Sequence, residues 1–142
     1  MKFLKASFYI SNLIFVIFYL YPGSLIGCLF FNDCKIDPQI TRDFVVFSSN
    51  HVYLFIVLSL HGFISFPDQN RKIVYYLVLL SIFLELMHFI IPIRAFQLQD
   101  LLGNILGVVI SYIILKILNF KKTKWTHLKI EKKVLKRNLL TI

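Results

Sequence analysis

From residue 6 to residue 31 the chain contains no Lys, Arg, Asp, Glu or His. Charge is scarce throughout: 16% of the 142 residues are charged and 58% are hydrophobic, a balance far from that of ordinary soluble domains. A soluble helical bundle is excluded on the same ground, because each of its helices needs a polar stripe and stretches such as 13–20 and 54–60 offer almost none. Other absences narrow the chemistry. There is no nucleophile elbow, His-rich metal motif or phosphate-binding loop, and the mixed charges of residues 32–43 have no metal-ligand spacing. Neither a metal nor another cofactor is expected. Cysteine is limited to Cys28 and Cys34. One short-spaced pair permits a disulfide on an oxidising side of a membrane, although two unpaired thiols are the plainer expectation.

What is present is length of apolar chain. A membrane-spanning helix needs about 20 predominantly apolar residues, and four segments supply them: 3–21, 44–66, 73–91 and 100–118. The expected fold is therefore all-α, an integral membrane protein with four transmembrane helices over residues 1–120, followed by a basic tail over 121–142. Two lysines before the first run resemble the start of a signal peptide. The run is longer than a cleaved signal and lacks a small-x-small cleavage site, so a retained first span is expected. Pro22-Gly23-Ser24 ends it, and the apolar residues 25–31 skim the interface or tuck against the bundle.

The formal net charge of +9 raises nucleic-acid binding, but the distribution of charge argues against it. With four spans and an inside amino terminus, thirteen of the sixteen Lys and Arg fall on the inner side, and only Lys35, Arg42 and Arg94 lie outside. This is the positive-inside pattern, and it predicts a multi-pass protein of the cytoplasmic membrane with both termini inside. The tail, with Trp125, Leu128, Leu135 and Leu139 loosely on one helical side, is expected to lie on anionic lipid.

The few ionisable residues within the runs concentrate between residues 85 and 107. At about 100° per residue, Ser81, Glu85, His88 and Pro92 share one side of the third span, while Asp100, Asn104, Gly107 and Ser111 share one side of the fourth. Two such sides facing each other keep the polar groups from lipid. Gly103, Gly107 and Ser111 have the small-residue spacing that lets membrane helices approach closely. Glu85 is the costly residue, since a charge at the centre of a lipid-facing helix costs roughly 2.5–3.5 kcal/mol. Glu85, His88 and Asp100 are the candidates for acid/base chemistry, with His88 expected to hydrogen-bond Glu85. Arg94 either grips an anionic group with help from Asp100 or forms an interfacial ion pair with it. His51 stands at the outer end of the second span and enters the same cavity or bridges the interface; His61, deeper, is expected elsewhere, and His127 belongs to the tail.

These residues carry a resemblance. The order and spacing of Glu85, Pro92, Arg94, Asp100, Asn104 and Gly107, together with Tyr21-Pro22-Gly23-Ser24 and Asn50-His51, resemble the VanZ-like family, small membrane proteins named after a teicoplanin-resistance protein. His88 stands where many relatives have Gln. Phe47 and Ser48 occupy positions where many have an Asp-Lys pair. The resemblance implies a compact multispanning helical domain and, for some members, reduced glycopeptide susceptibility; it implies no catalytic mechanism.

The leading expectation is an envelope protein whose outward polar pocket, lined by His51, Glu85, His88, Arg94, Asp100 and Asn104, takes the headgroup of a membrane lipid or a phosphorylated envelope lipid. The alternatives are a membrane enzyme acting on such a lipid through Glu85 and His88, and a structural or partner-binding protein. No protein partner is identified.

Overall fold

The computed structural model describes residues 2–139, with side chains as far as residue 119. The amphipathic reading of the tail, including Trp125 and His127, lies outside the described side chains. Helix α1 spans Lys2–Leu20, α2 Leu25–Phe31, α3 Ser49–Ser65, α4 Asn70–Met87 and α5 Leu98–Leu139, with a 3-10 turn at Pro67–Gln69 between α3 and α4. The chain divides into two compact units between Tyr112 and Ile113. The first contains α1 to α4 and the opening turns of α5.

The described residues are all-α, as expected, and the structure supports part of the expected set of spans. Two helices, α1 and α5 over Leu98–Asn119, are long and apolar enough to cross a membrane; counting α3 and α4 as one broken span, bent by 112°, adds a third. With 17 and 18 residues, α3 and α4 are shorter than their apolar runs. The reason is local. Residues 44–47 are spent on an irregular approach to α3, where the Asp43 carboxylate accepts from the Ser49 N–H at 2.8 Å and so caps the helix. At the other end, α4 stops at Met87, and the chain turns through residues 88–97 before α5 begins.

Burial in the first unit is inverted relative to a soluble protein. Ser49, Ser59, Ser81, Glu85, Asn104 and Ser111 are fully buried, while Ile10, Leu13 and Ile17 of α1 and Tyr75, Leu79 and Phe83 of α4 are exposed. An apolar exterior of this extent suits lipid rather than water. The remaining interior is aromatic and aliphatic. Phe8 meets His61, Phe66 and Tyr76 edge-on, and Phe15 meets Phe55.

The small-residue stripe of α5 works as a close-approach surface, but its partner is α3. A Cβ on Gly107 would lie 2.5 Å from the Val52 carbonyl oxygen, and one on Gly103 would lie 2.8 Å from that of Ser48. Ser111 completes the stripe, its one hydroxyl proton facing both the Ile56 carbonyl at 3.2 Å and the Gly107 carbonyl of its own helix at 2.9 Å. The expectation that this stripe draws α5 onto the Glu85/His88 side of α4 is therefore corrected. Lipid offers no hydrophobic drive for pairing, so backbone-to-backbone contact decides which helix is chosen.

Residues 25–31 form α2, with Ser24 as its N-cap accepting from the Gly27 N–H at 3.1 Å. Its Leu29 and Phe30 are exposed. Cys28 and Cys34 are joined by a disulfide, against the expectation of two unpaired thiols. The turn that α2 makes at Asn32, in the left-handed conformation, brings the two cysteines together.

Candidate functional site

One end of the helical unit gathers the end of α1, the start of α3, the end of α4 and the start of α5. Arg94, in the turn between α4 and α5, reaches back to the end of α1. Its Nε donates to the Tyr21 carbonyl at 3.3 Å and its Nη2 to the Gly23 carbonyl at 2.6 Å. The guanidinium thus serves carbonyls that a helix end leaves without partners, in a turn that depends on Gly23 at φ +91°. An ion pair between Arg94 and Asp100 is absent among the described residues. Asp100 instead lies 3.5 Å from His51 Nε2, with the Ser48 side chain beside it.

His51 links Asp100 to two buried groups on other helices. Asn104 Nδ2 donates to the Tyr19 hydroxyl at 2.8 Å, and that hydroxyl lies 3.0 Å from His51 Nδ1. With the hydroxyl accepting from Asn104 and donating its own proton to Nδ1, the ring proton lies on Nε2, toward Asp100; with the proton on Nδ1, the ring is the donor instead. Asn104 Oδ1 also lies 3.1 Å from Nδ1. That contact becomes a hydrogen bond only when Nδ1 carries a proton. The ring therefore has three hydrogen-bonding arrangements: neutral with Nδ1 accepting from Tyr19, neutral with Nδ1–H donating to Asn104, or doubly protonated and donating to Asn104 and Asp100.

Glu85 and His88 lie on the other side of Tyr19. The His88 ring stacks on the Tyr19 ring with centroids 5.1 Å apart and planes 13° apart. Its Nε2 lies 3.3 Å from the Tyr19 carbonyl oxygen. A carbonyl only accepts, so Nε2 carries the proton and, in the neutral ring, Nδ1 is an acceptor. Glu85 Oε2 is 3.0 Å from Nδ1, yet the approach lacks the alignment of a hydrogen bond. Both Glu85 oxygens and His88 Nδ1 are buried with no hydrogen-bond partner among the described residues.

A family model described as VanZ/LLP1 matches residues 6–119. The chain belongs to this family. No curated protein and no solved structure matches it. The VanZ/LLP1 stretch takes in α1 to α4 and α5 as far as Asn119, and so contains every residue of the cluster.

Of the expected site residues, Glu85 and His88 form one half of this cluster and His51, Asp100 and Asn104 the other. Arg94 braces its edge. Pro92 is exposed beyond the end of α4, and His61 is held apart, between Ser7 and Ser11 of α1 at 3.2 and 3.0 Å. Tyr19, which touches both halves, was not foreseen. A tyrosine in the last turn of an apolar span has the signature of an interface anchor, and nothing along the chain separates the two roles. The Tyr21 and Gly23 carbonyls were equally invisible, since backbone acceptors carry no residue-type signal.

Proposed function

We propose that this VanZ/LLP1 protein is a four-span envelope membrane protein that binds a lipid headgroup at the Tyr19/Asp100 end of its helical unit, with that end facing outward. The thirteen-to-three division of Lys and Arg supports the orientation. Helices α3 and α4, at about 1.5 Å per residue, come within a few ångströms of the hydrocarbon thickness, and their buried polar faces support two further crossings. Reporter fusions at the 67–70 turn and in the 92–97 turn test the topology. A cytoplasmic location for Arg94 would end this reading.

The observation that carries the binding proposal is the gradient across the cluster. Glu85 and Asn104 are fully buried, whereas the His51 and Asp100 side chains are 13% and 14% exposed, so access comes from the His51/Asp100 edge. Arg94 is half-buried. Two of its nitrogens are committed to carbonyls, and Nη1 has no partner among the described residues, leaving N–H groups for a phosphate. Lipid binding to the detergent-solubilised protein is the test, with Arg94→Gln expected to weaken a phosphate-bearing lipid about tenfold. Reduced glycopeptide susceptibility, where it occurs, would follow from engagement of such a lipid.

A second reading is favoured by one distance, the 3.0 Å between Glu85 Oε2 and His88 Nδ1. A carboxylate and an imidazole this close exchange a proton once the ring turns into line, as an enzyme acting on an envelope lipid would require. Turnover of a supplied lipid that disappears in Glu85→Gln, with folding retained, separates this reading from binding alone.

A further inference from the structure

Three polar atoms meet in the buried half of the cluster with no aligned hydrogen-bond partner among the described residues, and with Glu85 ionised and the His88 ring neutral all three are acceptors. Glu85 Oε2 and His88 Nδ1 are 3.0 Å apart, Oε1 shares the carboxylate carbon with Oε2, and all three are unpartnered. Glu85 is 0% exposed and His88 3%, so bulk water does not supply the missing donors. Burying a carboxylate in this state is among the costlier arrangements a helical membrane protein can hold. In the neutral ring the one His88 proton is committed to the Tyr19 carbonyl, which leaves Nδ1 an acceptor.

We infer that the group these acceptors await is a primary ammonium, and that the bound headgroup joins an amine to a phosphate, as phosphoethanolamine does. This rests on the headgroup-binding reading and names the chemistry of the ligand within it. A primary ammonium brings three N–H donors and one positive charge, matching three acceptors and one buried carboxylate. A phosphate without an amine would meet Arg94 but bring its negative charge toward the carboxylates of Glu85 and Asp100. It would also leave Glu85 as lacking in partners as before. The order of the groups follows from burial: the amine goes inward to Glu85 and His88, and the phosphate stays at the edge with Arg94.

Short-chain lipids titrated onto the full-length protein in detergent, with binding read by native mass spectrometry, test the assignment. The phosphoethanolamine lipid is expected to bind about tenfold or more tightly than the corresponding phosphatidic acid, phosphoglycerol and phosphocholine lipids. The last has a cation but no N–H, so it separates hydrogen bonding from charge. Glu85→Gln should abolish the preference by bringing the phosphoethanolamine lipid down to the affinity of phosphatidic acid, and Arg94→Gln should weaken all the lipids together. Equal affinity for all four lipids in the unmodified protein overturns the amine assignment, as does a preference surviving in Glu85→Gln; the headgroup site itself then stands as long as Arg94→Gln still weakens binding. An absence of binding, or binding that Arg94→Gln does not alter, rejects the headgroup site as well. The lipid series in the unmodified protein decides the point even where a variant does not fold.

Discussion

The Tyr19 side chain carries His88 flat against its ring and His51 on its hydroxyl, 5.1 Å between ring centroids on one side and 3.0 Å from oxygen to Nδ1 on the other. One residue of α1 thereby joins a histidine from the start of α3 to one just past the end of α4. The two halves of the polar cluster meet at this side chain.

Tyr19→Phe keeps the ring and removes the hydroxyl. Asn104 Nδ2 then loses its acceptor and His51 Nδ1 its donor, both in a buried place, for an expected loss of about 1–3 kcal/mol. Thermal unfolding in detergent should show a clear drop in Tm. An unchanged Tm would mean that water or a rotated Asn104 replaces the hydroxyl, and the linking role would be lost.

Gly107→Ala places a methyl group 2.5 Å from the Val52 carbonyl oxygen and 2.9 Å from Phe55 Cβ. Backbone cannot rotate aside as a side chain can, so α3 and α5 must separate, at an expected cost of about 1–3 kcal/mol. Val109→Ala, at an exposed position of the same helix, serves as the control and should leave Tm nearly unchanged. Equal effects of the two substitutions would contradict the close packing.

Glu85→Gln is expected to stabilise the ligand-free protein. The amide removes a buried, unpartnered charge and brings two donors toward His88 Nδ1, for a gain of about 1–3 kcal/mol. The sign is what matters in unfolding measurements made without added lipid. A loss of similar size would show that the carboxylate is satisfied in the native membrane protein and that its charge contributes to folding.

Ile93→Gly tests the turn that aims Arg94. Ile93 has φ +68°, a conformation that costs a β-branched residue about 1–2 kcal/mol, and its side chain is exposed. Glycine relieves this strain but adds about 0.4–1 kcal/mol of unfolded-state entropy, so Tm should hold or rise slightly. A marked fall would indicate that the Ile93 side chain itself is needed.

Periodicity alone placed the buried faces. Glu85 lies one turn after Ser81, and Gly107 and Ser111 follow Asn104 at intervals of three and four, so the side of each helix that avoids lipid follows from a rotation of about 100° per residue. An all-α membrane protein was equally legible, because apolar length is a sum along the chain, whereas the family was legible only as a resemblance, in the spacing of Glu85, Pro92, Arg94, Asp100, Asn104 and Gly107. Which face meets which was not. A small-residue stripe announces that some helix comes close, and α3 rather than α4 won because the carbonyls of Ser48 and Val52 fit against Gly103 and Gly107. The same holds for Arg94, whose carbonyl partners on the preceding turn of chain have no letter of their own, and for Tyr19, whose hydroxyl acquires meaning only between Asn104 and His51. Local chemistry dictates helices and their faces; the pairing of those faces is a matter of distances between segments far apart in the chain, and these exist only once it has folded.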